Sequence, residues 1–576
     1  MHDVPLNGLR LLAVETSILL GLTAFVFVIS LFRRPRFSRP WLSAILAGRR
    51  LAVLFVIATA LIGRALLMPL IGVPQPRIND EYSYLLMGDT FAHFRLTNPT
   101  PAAWQHFETF HVNLTPTYHS KYPVASGLVL AFGEIVFHQP WIGIYFATAL
   151  LCGAICWTLQ AFVPPGWALI GGLFAVFRLA LFSYWMNSYW GGSIPALGGA
   201  LALGSVVRLF APERTQRNRA LLASVFALSL LILATSRPFE GLAFSLPLLG
   251  YFAYKLLRGI RRHEIRLSST AIPVVGIGMA GLLLMACYNR TTTGNALLMP
   301  YALNERTYAE LPLFFGQGPV HQVTAHDPVF TKYYQVEAHE HGYKPDASAS
   351  DIIAMEAHRL GQDWFFYVGP ALSFPVLIGF LLCVKRRDLR LVLAVFVTTA
   401  AAVAACIFAQ VHYFSPATIA VYVFAISGLA YLWDEPGDGA HAFAIAVCLT
   451  IVVTALTRTT GSARMNDTYR LAGTRELVAQ RLASVPGKQL VLVTYDFDGH
   501  YPGSELVHNG ADFTTQKILW ARSKGAGKDS DLCRAYSDRS FWSLVTDDAS
   551  FSLKPLALCQ NQDVTHSPAQ LGASGN

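Results

Sequence analysis

Apolar blocks such as residues 51–62, 271–285 and 391–408 recur along the 576-residue chain, separated by short polar gaps. A hydrocarbon core about 30 Å thick takes roughly 20 apolar residues in helical form, so the pattern predicts transmembrane helices. Hydropathy places spans at 12–32, 51–72, 141–162, 167–186, 194–210, 219–235, 241–257, 269–288, 364–384, 391–410, 416–433 and 441–457. The first block is too long for a signal-peptide core and has only Arg10 before it, so it reads as a retained helix. Block 124–137 is short and carries Gly133 and Glu134. Stretches of about 10–14 apolar residues are more often interfacial or re-entrant than spanning. Counting it as a crossing would also move the basic loop 212–219 to the outer face. The expected architecture is therefore an all-α polytopic membrane bundle of about twelve transmembrane helices, with both termini outside.

Charge supports that reading. Only 14% of residues are charged, against 53% hydrophobic. The Lys and Arg clusters fall at Arg33, Arg34, Arg36 and Arg39, at Arg49 and Arg50, and within 208–219, 255–266 and 385–390. These are short gaps that the positive-inside bias assigns to the cytoplasm. The net charge of +9 is thus divided among loops separated by spans, which excludes a nucleic-acid footprint. No fixed-period repeat is visible, so an inverted-repeat transporter is not favoured.

Three long segments fall outside: 73–122, 289–363 and the tail. The division expected is a membrane domain, 1–457, and a C-terminal domain, 458–576. In the tail, residues 474–482 read as a helix and the β-branched run 489–495 as a buried strand, a small exoplasmic α/β domain. Cys533 and Cys559 both lie there, and a bridge between them is left open. The other six cysteines sit in or beside apolar spans and read as small hydrophobes.

Polar residues beside the outer ends of the spans carry the candidate chemistry. Asn79 reads as an N-cap followed by Asp80 and Glu81 in the first turn of a helix. The acids either complement the helix dipole or supply a general base just outside the membrane. Lys121 and Tyr122 precede the re-entrant block; Lys121 either snorkels or neutralises a phosphate. Arg237 and Glu240 share a short outer turn, where they either pair or contribute to an anion site with His412 and Tyr413 of a second turn.

Together, the two acids of the first outer loop, the Lys-Tyr-Pro element, the Arg-Pro turn and the late His-Tyr resemble membrane glycosyltransferases of the GT-C fold. The nearest are the protein O-mannosyltransferases and the lipid A aminoarabinose transferase. The resemblance covers about residues 50–435, and segments 293–301, 507–512 and 518–522 resemble bacterial members of the group. It implies transfer of a sugar from a polyprenyl-phosphate donor to an acceptor hydroxyl, with inversion, at the outer face of the inner (plasma) membrane. Asp80 then matches the loop base, with Glu81 beside it. Lys121, with Tyr122, and Arg237, with Glu240, match positions suited to the leaving phosphate, and His412 and Tyr413 the late polar turn. The chain has Val124 where a Pro-Pro-Gly step is common in the group.

No cofactor is expected. His339-Glu340-His341 invites a zinc reading, but neighbouring side chains point apart and the spacing fits no metal motif. Loop 289–363 is expected to cap the cleft and select a glycan, lipid or protein acceptor. The competing function is a transporter or flippase of a lipid-linked saccharide, for which Arg64 and Arg178 are the mid-span ionisable candidates. A non-catalytic scaffold with an outer binding domain is a third class.

Overall fold

The computed structural model describes residues 4–32, 48–317, 327–344, 346–465, 470–496, 505–547 and 550–556; side chains at 4–11, 31–32, 457–465 and 470–472 are outside that description. Helices dominate. In chain order the membrane part runs α1 (Val4–Phe32), α2 (Arg49–Leu66), α3 (Asn79–Ala92), α4 (Val124–Phe137), α5 (Trp141–Leu159), α6 (Pro165–Ala175), α7 (Ser193–Leu209), α8 (Gln216–Ser236), α9 (Pro238–Arg261) and α10 (Leu267–Thr293). It continues with α11 (Pro300–Tyr308), α12 (Pro328–Glu340), α13 (Ala349–Tyr367), α14 (Gly369–Lys385), α15 (Arg390–Ala404), α16 (Thr418–Asp434) and α17 (Asp438–Met465).

Among the described residues six helices are long and apolar enough to cross a membrane: Leu12–Ser30, Trp141–Leu159, Gln216–Ser236, Leu267–Thr293, Val411–Asp434 and Asp438–Leu456. A bent pair, α13 with α14, makes a seventh if it is one span. The twelve spans read from hydropathy exceed this count because several apolar blocks are broken. Block 167–186 divides into α6 and a π-helical segment, Val176–Leu181. Block 391–410 gives the 15-residue α15. Block 364–384 crosses the α13–α14 break, bent by 97°. Block 124–137 forms a single 14-residue helix, the length expected of an interfacial element. Large apolar side chains face outward along α10, at Ile272, Val275, Leu282, Leu283 and Leu284. That is costly in water and appropriate against lipid tails, as befits a membrane protein.

Elsewhere the helices meet closely. A Cβ on Gly379 of α14 would lie 1.8 Å from the Phe424 carbonyl oxygen of α16, so only glycine permits this contact.

The break between α13 and α14 is built around two buried charges. The π-helical segment aims Arg178 at the end of α13, where its Nη2 donates to the Phe365 and Phe366 carbonyls at 3.2 and 3.1 Å. Glu15 of α1 lies 3.7 Å from Arg178 and accepts from the Ala371 backbone N–H at 3.3 Å. The cation satisfies the negative end of one helix dipole and the anion the positive end of the next. Between them Gly369 takes φ +62°. Arg64 is also consumed structurally: Nε donates to Asn187 Oδ1 at 2.7 Å, Nη2 to the Gly72 carbonyl at 2.6 Å, and the guanidinium lies over Trp141. Both mid-span cations that favoured a transporter are thus held as parts of the scaffold.

The tail folds as α18 (Arg470–Ala483), β3 (Lys488–Tyr495), β4 (Ile518–Arg522), α19 (Ala526–Ala535), β5 (Arg539–Thr546) and β6 (Phe551–Pro555), after β1 (Val112–Asn113) and β2 (His119–Ser120) of the first outer loop. Its sheet has the order β4-β3-β5-β6, with β3 parallel to β4 and β5, and β6 antiparallel to β5. Alternation along β3 divides its side chains between two cores. Val491 and Val493 pack on Val478 and Leu482 of α18. Leu490 and Leu492 join Leu86, Phe107, Leu114 and Tyr118 of the first outer loop. Cys533 is disulfide-bonded; Cys559, its expected partner, lies outside the described residues.

Arg178→Met should lower stability by about 3–5 kcal/mol, because it strands Glu15 in an apolar setting. The double variant Arg178→Met/Glu15→Gln should recover much of that loss. Thermal unfolding of the detergent-solubilised chain measures both; equal losses in the single and double variants would refute the pairing.

Candidate active site

Helix α3 begins just after the Pro74-Gln75-Pro76 stretch. Ile78, not Asn79, occupies its N-cap. Glu81, three residues on, turns back and its Oε2 accepts from the Arg77 and Ile78 backbone N–H groups at 2.7 and 3.3 Å. Its Oε1 accepts from the Tyr189 backbone N–H at 2.9 Å. Both oxygens are therefore occupied, and the side chain is buried. Burial, opposed by these three N–H donors, pushes the Glu81 carboxyl up to about 7. Asp80, one position earlier, projects from a neighbouring face of the helix and remains partly accessible.

Asp80 Oδ1 accepts from the Tyr122 hydroxyl at 2.5 Å, and Oδ2 lies 3.6 Å from His111 Nε2. Burial and the adjacent carboxylate hold the Tyr122 phenol well above its ordinary value, so it stays a donor. Tyr122 stacks on Tyr84, ring centroids 4.3 Å apart. Lys121 is not a free cation: its Nζ lies 3.4 Å from Glu305 Oε1 and over the Tyr301 ring.

Arg237 sits between α8 and α9 with its guanidinium 4.0 Å from the Tyr413 ring centroid. Among the described residues no carboxylate lies within ion-pair distance of it, though Glu240 is near enough for the two charges to act on each other. Glu240 is buried at the first turn of α9. His412 is buried edge-on to Trp190, ring centroids 4.6 Å apart, and its Nδ1 has no hydrogen-bond partner among the described residues.

Asp80, Glu81, Lys121, Tyr122, Arg237, Glu240, His412 and Tyr413 all line one cavity of about 2730 Å³. Leu128 of α4, Leu231 of α8, and Leu284, Met285 and Tyr288 of α10 add apolar wall to the same cavity.

No family model and no curated protein matches the chain. Among solved structures it is similar to ArnT from Cupriavidus metallidurans in the apo state, with TM-score 0.52 and 11% identity, covering 86% of this chain and 92% of that one. The chain has the GT-C fold. The same ArnT bound to undecaprenyl phosphate gives TM-score 0.51 and 11% identity over 86% of this chain and 93% of that one.

Within this GT-C scaffold the cavity also recruits residues that sequence reasoning passed over. His111, Trp190, Glu305 and Glu337 line it, alongside Tyr301 and Tyr333 of the 289–363 loop. Burial, reinforced by the negative charges of Asp80 and Glu340, lifts the Glu337 carboxyl to about 7. Helix α12, inside the loop expected to cap the cleft, brings Tyr333 and Glu337 to the wall. Among the described residues no group of three or more His, Cys, Asp or Glu side chains is placed to hold a metal ion, around His339-Glu340-His341 or elsewhere. His341 instead lies 3.7 Å from Glu337.

The raised Glu81 carboxyl gives a signed pH effect. The folded state favours its protonated form, so its contribution to stability is fullest below about 4.5 and is lost as pH rises toward 7. Unfolding of the wild type and Glu81→Gln followed from pH 4 to 8 should yield a difference curve that slopes through that window. A flat difference curve would mean Glu81 is not buried as a carboxyl.

Proposed function

We propose that the chain is a membrane glycosyltransferase that moves a sugar from a polyprenyl-phosphate donor to an acceptor hydroxyl at the outer membrane face. The observation that carries this reading is the pairing, in one cavity, of an accessible carboxylate, Asp80, with a cation that has no ion-pair partner among the described residues, Arg237. The apolar residues in the wall of the same cavity suit a polyprenyl chain. The bound undecaprenyl phosphate of the similar ArnT structure supports that donor class.

In this reading Asp80 takes the proton from the acceptor hydroxyl as its oxygen attacks the anomeric carbon from the side opposite the phosphate. The anomeric C–O bond breaks, its electron pair leaves with the polyprenyl phosphate, and the configuration inverts. Arg237 stabilises the phosphate in a setting of low dielectric. Tyr122 orients Asp80, and Glu81 acts through the backbone rather than on substrate. Lys121 is a charge-balanced wall residue. His412 and Trp190 form the aromatic floor on which a sugar ring stacks. No step is routed through a metal or cofactor. Twelve crossings would put the cavity, both termini and the tail on the same outer, periplasmic side of the inner membrane.

Purified protein given a polyprenyl-phosphate-linked, radiolabelled sugar and membrane acceptors tests the reading. Asp80→Asn should reduce transfer by about 10²–10⁴-fold with expression and membrane insertion unchanged. Arg237→Gln should reduce it by at least about tenfold. Full transfer by Asp80→Asn would sink the assignment of the base. Donor translocation across vesicles without transfer would favour a flippase instead.

A further inference from the structure

Besides Tyr122, only one side chain is placed to hold the second oxygen of Asp80 among the described residues, and it comes from a constrained point in the chain. His111 adopts φ +63°, a left-handed conformation uncommon for histidine. Its carbonyl fixes that conformation by accepting from Ser83 Oγ at 2.6 Å and from the Lys121 backbone N–H at 3.0 Å. Ser83 belongs to α3, the helix that carries Asp80, and its hydroxyl is 2.7 Å from that of Ser120. The backbone of residue 111 is therefore tied to the base's own helix and to β2 at once. Its ring is nearly buried, with Nε2 3.6 Å from Asp80 Oδ2 and 3.3 Å from the Tyr333 hydroxyl.

We propose, resting on the assignment of Asp80 as base, that His111 is a positioning residue that presents Nε2–H to Asp80 Oδ2, while Tyr333 links this contact to α12. The tautomer follows from the neighbours. An ionised carboxylate has no proton to give, so Nε2 supplies one and the Tyr333 oxygen shares it as second acceptor. The Tyr333 hydroxyl proton is then directed to Glu337. Burial, with Lys121 nearby, pulls the imidazole down to about 3. The donor is therefore a neutral N–H that orients Asp80 without cancelling its charge. The Tyr122 hydroxyl on Oδ1, with the His111 N–H facing Oδ2 from 3.6 Å, biases the carboxylate toward one orientation at the cavity wall. The segment that caps the cavity thereby reaches the base through Tyr333, 222 residues from His111 in sequence.

The test uses the full chain in lipid nanodiscs. His111→Asn keeps a residue that tolerates the left-handed backbone but withdraws the donor from Asp80; His111→Gln restores an N–H at the reach of Nε2. The infrared carboxylate band of Asp80, isolated as wild type minus Asp80→Asn, should shift in His111→Asn and return in His111→Gln. It should move the opposite way in Tyr333→Phe, which leaves Nε2–H to Asp80 alone. With a polyprenyl-phosphate hexose as donor, His111→Asn should lower kcat by about tenfold or more with KM changed less than about twofold, and His111→Gln should recover most of the loss. An unshifted band in His111→Asn, or a loss carried by KM, overturns the proposal even if Asp80→Asn abolishes transfer. A shifted band alongside full transfer by Asp80→Asn leaves the contact standing and removes the base assignment on which its catalytic meaning rests.

Discussion

The buried carboxylate of Glu81 fastens helix α3 to the helical bundle. It gathers backbone N–H groups from Arg77, Ile78 and Tyr189, two from its own helix start and one from the connection that precedes α7. A carboxylate taken out of water is expensive unless its lone pairs are filled, and here the filling is done by backbone, which cannot swing away. The orientation of α3, and with it the direction in which Asp80 points, follows from that joint. The tail holds the helix from the other side. Asn79 Oδ1 faces the Glu505 backbone N–H and His508 Nε2, each at 3.3 Å, and the Tyr82 and His508 rings stack 4.2 Å apart. One turn before the helix ends, Asp89 accepts from the Ala511 backbone N–H at 2.7 Å. A short helix in a long loop would ordinarily fray, yet α3 is gripped on two faces by polar contacts of fixed geometry.

This division of labour explains what the sequence could disclose. Lipid imposes a length and a polarity on any helix that crosses it, so blocks such as 141–159 and 267–293 were legible without knowledge of their neighbours. The break in the 364–384 block was not. It depends on Arg178 and Glu15 arriving from distant parts of the chain to satisfy two helix ends, and hydropathy averages over such a pair. The sheet of the tail was readable at β3 because a short continuous apolar, β-branched run suits a strand buried on both faces. That one of those faces would share a core with the first outer loop was not, since no local pattern encodes a partner some 400 residues away.

The candidate site divides in the same way. Asp80, Glu81, Arg237 and His412 were recognisable from polar residues clustered at the outer ends of apolar blocks, and all of them reach one cavity. Their separate duties were invisible. Lys121 reads as an available cation until Glu305, 184 residues on, takes it up. His111 carries no periodic or motif signal at all; its distinction is a left-handed backbone that only the folded chain imposes.

The cations that line the cavity differ in what holds them. Arg178 spends its guanidinium on backbone carbonyls, and Lys121 is matched by Glu305. Arg237 differs: it rests on an aromatic face and, among the described residues, meets no carboxylate at ion-pair distance. A cation so placed in a low-dielectric cavity favours an anion from outside the chain, provided the chain's own acids are kept from it. Tyr84 is close enough to feel the charges of both Arg237 and Asp80, and with Tyr122 it forms part of the wall around the base. Were the two charges in contact, each would quench the other and neither would act on substrate. Not in contact with each other, they are free for the two duties proposed for them, proton acceptance by Asp80 and anion binding by Arg237, which displacement of a phosphate by a hydroxyl would need.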